Sequence, residues 1–217
     1  MPLLLVDLDD TLIDRSGAFA RFAREFASSH GGSAGDARWL FEADRNGEEA
    51  RDNLAAMMTE RFGLDRLGAA RVLAELRAGL VEQIVLDDLV ALALREARAA
   101  GWVPFVVTNG DVDQQERKLR RTGLDREVAG WVISAGVGLR KPDPSIFRLA
   151  AARAGEPLDG AWMIGDSAQA DIGGARNTGL ASVWLHLGRS WPLTAFEPDH
   201  RAGDFPSAVR IVLGSLG

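Results

Sequence analysis

The chain has 217 residues, 47% hydrophobic and 26% charged, with a formal net charge of −6 and no cysteine. That length suits one ordinary domain plus a smaller one, and the acidic balance argues against nucleic acid or an anionic membrane as the main partner. Without cysteine there is no disulfide or thiolate metal site, no apolar run nears the ~18 residues of a membrane span, and an aspartate at position 7 leaves no room for a signal peptide, so a cytoplasmic protein is expected.

Leu3 to Asp7 reads as a first strand, because Leu3-Leu4-Leu5-Val6 is a short apolar run of the kind buried on both faces. A helix entered at Ser16 follows, with Phe19, Phe22 and Phe26 on one face. His30 to Gly35 is glycine-rich and reads as a loop. Helical patterns then cover Ala37 to Ala43, about Glu48 to Phe62, and Leu67 to Ile84. Leu86 to Ala100 is the crossover helix expected before a second strand, with Gly101 as its stop. A βα connection usually takes ~2–6 residues, yet nearly a hundred lie between the first two strands. Residues 15–85 therefore read as an all-helical insertion, a cap above the strand ends. Residues 1–14 and 86–217 form the core.

Beyond Gly101 the pattern is regular. Val103 to Thr108 is a buried parallel strand, with Pro104 near its start, where a missing N–H is tolerated. Asp113 is placed to cap a helix that runs to Thr122 and closes on Gly123. Gly130 to Ser134 is a third strand, and Pro144 to Ala154 a helix with Asp143 at its N-cap. Ala161 to Ile164 and Ala181 to Leu185 are further strands, separated by a helix from Asp171 to Asn177. Gly188 to Phe205 shows no regular pattern, and a helix from Pro206 to Leu213 ends the reading. Repeated βα units of this kind make a doubly wound, Rossmann-like parallel α/β sheet.

Polar residues recur where these strands end: Asp7-Leu8-Asp9-Asp10-Thr11, Thr108-Asn109-Gly110, Lys141-Pro142, and Gly165-Asp166-Ser167 with Asp171. Ligands of open α/β sheets bind beyond the carboxyl ends of the strands, so these residues converge. Gathered carboxylates need a cation, and oxygen donors without His or Cys favour Mg²⁺, held by a few carboxylates and the substrate. Each residue also has an ordinary reading: Asp7 as a strand-end cap, Asp171 as a charge at a helix start, and Asn109-Gly110 as a simple turn. Asp10 reads as solvated, and Thr11 as the residue that holds the first turn together. His30, His186 and His200 have no ligand spacing.

Taken together, Asp7-Leu8-Asp9-Asp10-Thr11-Leu12, Val107-Thr108-Asn109-Gly110, Arg140-Lys141-Pro142-Asp143-Pro144 with Phe147, and Gly165-Asp166-Ser167 through Asp171 resemble the haloacid dehalogenase-like hydrolases, in a form with an α-helical cap after strand one. The resemblance implies a Mg²⁺-dependent phosphatase acting on a small phosphorylated metabolite. Asp7 would be the nucleophile and Asp9 the general acid, then base. Asp7, Asp166 and the Asp9 carbonyl would hold the metal, with Asp171 acting through water or on Lys141. Thr108 and Asn109 would bind phosphoryl oxygens.

Of the 25 basic residues only Lys118 and Lys141 are lysine. Lys141 falls where the resemblance calls for a compact charge between Asp7 and the phosphate; Lys118, amid Glu116, Arg117 and Arg120, reads as part of a solvated helix face. In the cap, the loop Asp44-Arg45-Asn46-Gly47 is the candidate to reach the site, with Arg45 meeting an anionic group. A dehalogenase, a sugar-phosphate mutase and a protein that binds a phosphometabolite without turnover stay open, although Asp9 counts against the dehalogenase. A phospho-accepting receiver domain is disfavoured, since it lacks a cap and carries its accepting aspartate on a middle strand.

Overall fold

A computed structural model describes residues 1–215. In chain order the elements are β1 (Leu3–Val6), α1 (Arg15–Ser29), α2 (Ala34–Ala43), α3 (Arg51–Arg61), α4 (Ala69–Glu82), α5 (Asp88–Ala99), β2 (Val103–Thr108) and α6 (Val112–Thr122). They continue with β3 (Trp131–Ile133), α7 (Ser134–Val137), α8 (Pro144–Ala154), β4 (Trp162–Gly165), α9 (Gly173–Thr178), β5 (Ala181–Leu185), β6 (His200–Ala202) and α10 (Phe205–Gly214). The chain divides into two compact units, Met1–Ile13 with Leu86–Gly217, and Asp14–Val85.

The first unit is an α/β sheet of six parallel strands in the order β3-β2-β1-β4-β5-β6. The chain builds outward from β1 through β2 to β3, then returns to the other side of β1 for β4. That reversal separates the loops at the carboxyl ends of β1 and β4 and leaves a crevice between them, where doubly wound sheets place their ligands. All four side chains of β1 are completely buried, which explains why its sequence is apolar without alternation. Leu5, Phe105, Val107, Val132, Phe147 and Met163 belong to the core packed on one face of the sheet.

Several details depart from the sequence reading. Helix α6 is capped by Asp111, whose carboxylate accepts from Gln114 N at 3.1 Å, and not by Asp113. The segment after β4 opens as a π-type turn, Ala168–Ile172, before α9 begins at Gly173. The stretch read as irregular contains β6 at the sheet edge, anchored by Asp199, which accepts from the Ser182 backbone and hydroxyl at 2.9 and 2.7 Å.

The second unit is all-helical. Asp14 caps α1 through Gly17 N at 2.8 Å, and Ser33 with Asp36 forms a reciprocal capping box at the start of α2. Phe19, Phe22 and Phe26 are buried on one side of α1. Gly79 of α4 makes room for the Phe22 ring, since a Cβ there would lie 2.5 Å from it. The loop after α2 is held by Asp44, which is 1% exposed and bonded by Arg15 at 2.5 and 2.7 Å and by Arg51 at 2.5 Å. Among the described residues no helix is long and apolar enough to cross a membrane.

Candidate active site

Asp7 prolongs β1, its N–H donating to Ile164 O of β4 at 3.0 Å, so its side chain emerges beside the β1–β4 crevice. The chain then coils around one acceptor: Leu8 O receives Leu12 N at 3.0 Å, Ile13 N at 3.1 Å and Thr11 N at 3.4 Å. Asp10 takes a left-handed conformation, φ 54°, and is buried rather than solvated. Among the described residues the buried Thr11 hydroxyl has no hydrogen-bond partner, so the Leu8 carbonyl, not the Thr11 side chain, closes this turn.

Lys141 joins three strands' worth of groups. Its Nζ is 2.6 Å from Asp7 Oδ1, 2.6 Å from Asp171 Oδ1 and 2.7 Å from Val107 O. Burial alone would lower its pKa, but the Asp171 and Asp7 carboxylates outweigh burial and raise it, so the ammonium stays charged. Its backbone is held by the Asn109 side chain, which donates to Lys141 O at 3.1 Å and accepts from Lys141 N at 3.0 Å. Asn109 therefore uses its amide on Lys141. Asp171 is fully buried and accepts from Ser167 N at 2.9 Å.

Asp9 has a partner that the sequence reading assigned to solvent. Lys118 is 3% exposed, and its Nζ contacts both Asp9 oxygens, at 2.7 and 2.8 Å. Gln115 Nε2 donates to Asp9 Oδ2 at 2.9 Å and to Thr108 Oγ1 at 2.8 Å. Both residues lie on α6, three positions apart and so on one face. The signal was present: Lys118 is one of only two lysines among the 25 basic residues.

Asp7, Asp166 and Asp171 can each offer an oxygen, these atoms lying within 4.8 Å of one another, all three residues buried. Burial, with the Asp171 and Asp166 charges, pushes the Asp7 carboxyl well above its ordinary range despite Lys141. Asp166 is pushed up to about 7, by burial first and then by Asp171, although Arg189 opposes this. The Arg189 guanidinium is 3.1 Å from Asp166 Oδ2 and also donates to the Asp166 and Leu185 carbonyls. It comes from the segment that showed no pattern, which is fastened by Trp191 packing edge-on against Trp184 at 4.9 Å. A compact set of buried carboxylate oxygens short of positive charge fits a hard divalent cation.

Arg45 belongs to the helical unit, with φ 50° and ion pairs to Glu48 and Glu49 at 3.7 Å each. His30 stacks on Phe26 and His200 on Trp162, while His186 accepts from Gly188 N.

The sequence matches the haloacid dehalogenase-like hydrolase family over residues 1–179. It is 32% identical to phosphoserine phosphatase of Thermus thermophilus, covering 94% of this chain and 96% of that protein. It is 30% identical to glyceraldehyde 3-phosphate phosphatase of Methanopyrus kandleri, over 86% and 84% of the two chains. Among solved structures, YfnB from Bacillus subtilis bound to magnesium superposes with a TM-score of 0.75 at 23% identity, over 97% and 98% of the chains.

Proposed function

The chain belongs to the haloacid dehalogenase-like hydrolase family, and from that premise we propose that this hydrolase is a Mg²⁺-dependent phosphatase working through an aspartyl-phosphate on Asp7. The observation that carries the reading is the buried group of Asp7, Asp166 and Asp171, two of which, Asp7 and Asp171, share the Lys141 ammonium. The phosphatases it resembles along most of its length support a small phosphate monoester as substrate.

In this reading Asp7 Oδ attacks phosphorus. The bond from phosphorus to the ester oxygen breaks, its electron pair stays on that oxygen, and the leaving alcohol takes a proton from Asp9. Water then attacks phosphorus and gives its proton to Asp9, while the acyl phosphate bond breaks and returns its electron pair to the Asp7 carboxylate. Lys141 lowers the repulsion between Asp7 and the phosphate and keeps Asp171 in place. The Thr108 hydroxyl and the Asn109 backbone N–H would donate to phosphoryl oxygens as charge builds. Asp7 and Asp166, with the Asp9 carbonyl, would hold Mg²⁺, and Asp171 would act through Lys141 or a water. That ion would supply fixed positive charge against the carboxylates and the phosphate. Choice of substrate is assigned to the helical unit, with Arg45 as a contact for an anionic group.

The test is phosphate release from p-nitrophenyl phosphate with Mg²⁺, with EDTA, and by Asp7→Asn. Turnover should require Mg²⁺ and fall by more than about 10³-fold in the variant. Turnover that survives EDTA or the loss of the Asp7 carboxylate would exclude this mechanism.

A further inference from the structure

The proposed chemistry gives Asp9 two proton transfers but says nothing about what holds its carboxylate where they occur. Asp9 lies in a turn rather than on a strand, its side chain 24% exposed, and a carboxylate in that setting would sample several rotamers. Two side chains from another element remove that freedom. Lys118 bridges both carboxylate oxygens, and Gln115 Nε2 adds a third bond at Oδ2. The same amide nitrogen uses its second hydrogen on Thr108 Oγ1. An acceptor site of that hydroxyl is thereby filled from behind, and its own hydrogen goes only to Asn109 O at 3.4 Å, a long bond that a phosphoryl oxygen can replace.

We propose that Lys118 and Gln115 are positioning residues, which fix the Asp9 carboxylate for proton transfer to the leaving oxygen and turn the Thr108 hydroxyl into a donor toward the phosphoryl group. The inference rests on the phosphatase reading above. The chain's two lysines then divide the work: Lys141 holds the nucleophile Asp7, and Lys118 holds the proton carrier Asp9. Lysine suits the second post as it does the first, because one compact buried ammonium touches both oxygens of the carboxylate, whereas a guanidinium is a broad planar fork. Glycine at position 110 completes the arrangement. Its φ is +151°, and a Cβ there would lie 3.1 Å from the Gln115 side chain.

Leaving-group dependence separates positioning from a merely structural salt bridge. The rate kcat/KM reports steps up to alcohol departure. p-Nitrophenolate leaves without protonation, whereas n-butyl phosphate and glycerol phosphate release alkoxides that need the Asp9 proton. Lys118→Met and Gln115→Leu are each expected to lower kcat/KM on the better alkyl ester by about 10²-fold and on p-nitrophenyl phosphate by less than about 5-fold. In an Asp9→Asn background Lys118→Met should add less than about 2-fold, since both changes remove one function. Lys118→Arg, which keeps the charge, should recover part of the loss and serves if the methionine variant fails to fold. Equal losses on all esters, or a full Lys118→Met effect in Asp9→Asn, would overturn the proposal. Lack of turnover of every ester by the wild type, or an active Asp7→Asn, would instead overturn the phosphatase reading beneath it.

Discussion

Gly165 ends β4 with an ordinary backbone conformation, so its missing side chain is explained by a neighbour rather than by its dihedrals. A Cβ at that position would lie 2.2 Å from Asp171 Oδ2 and 2.5 Å from Asp171 Cβ. Asp171 has nowhere to go, being fully buried and tied to Lys141 and to Ser167 N. Gly165→Ala is therefore expected to cost about 1–3 kcal/mol through overpacking. By displacing Asp171 from Lys141 it should also lower kcat by about 10²-fold, as small misplacements at reacting groups do. Urea unfolding and steady-state kinetics on the variant check both; wild-type values would show that Asp171 can move at no cost. The sequence announced Gly165 as part of a motif but not its reason, because Asp171 returns to it through a π-type turn that no periodicity marks.

At the scale of elements, the loop after α2 depends on a single buried carboxylate. Burial alone would raise the Asp44 pKa, but hydrogen bonds and charges from Arg15 and Arg51 outweigh it and hold the carboxyl below its usual value. A folded-state pKa below the unfolded one adds stability that is complete above about pH 4 and lost as pH falls through the folded value. The helical unit should thus weaken below about pH 4, and Asp44→Asn should flatten that dependence. At neutral pH the same variant should cost about 3–5 kcal/mol, because it takes the carboxylate charge away from the buried Arg15 guanidinium. Circular dichroism melts from pH 7 to 3 would reveal this, and parallel curves for the two proteins would refute it. Element positions were legible where periodicity is strong: β2, β5 and α8 have the read limits, and β1 and β4 differ from theirs by at most one residue at either end. Strand β6 was not, because three residues with His200 and Arg201 exposed have no apolar alternation to detect. The cap of α6 was misplaced by two residues because Asp111 and Asp113 are equally good capping residues, and only the course of the chain after β2 selects between them.

For the whole molecule, the balance of buried charge sets a further expectation. Asp7, Asp166 and Asp171 lie together in the first unit, with Lys141 and Arg189 paired among them. A divalent ion held there should stabilise the folded chain by about 2.7 kcal/mol at a hundred times its dissociation constant, a rise of about 5–10 °C in the melting midpoint. Calorimetry with Mg²⁺ against EDTA should show that rise in the wild type and its loss in Asp166→Asn; an equal rise in the variant would place the ion elsewhere. The sequence by itself determined the family, the parallel sheet and the strand-end motifs, since apolar runs fix strands, and strands wound in parallel bring their carboxyl ends to one edge. Only the tertiary structure decided the pairings within that edge. Lys118 meets Asp9 across 109 positions and Gln115 meets it across 106, and Arg189 reaches Asp166 from a segment without pattern. Helical spacing tells which residues share a face, but the partner across from that face is set by packing between distant segments, which local sequence does not encode.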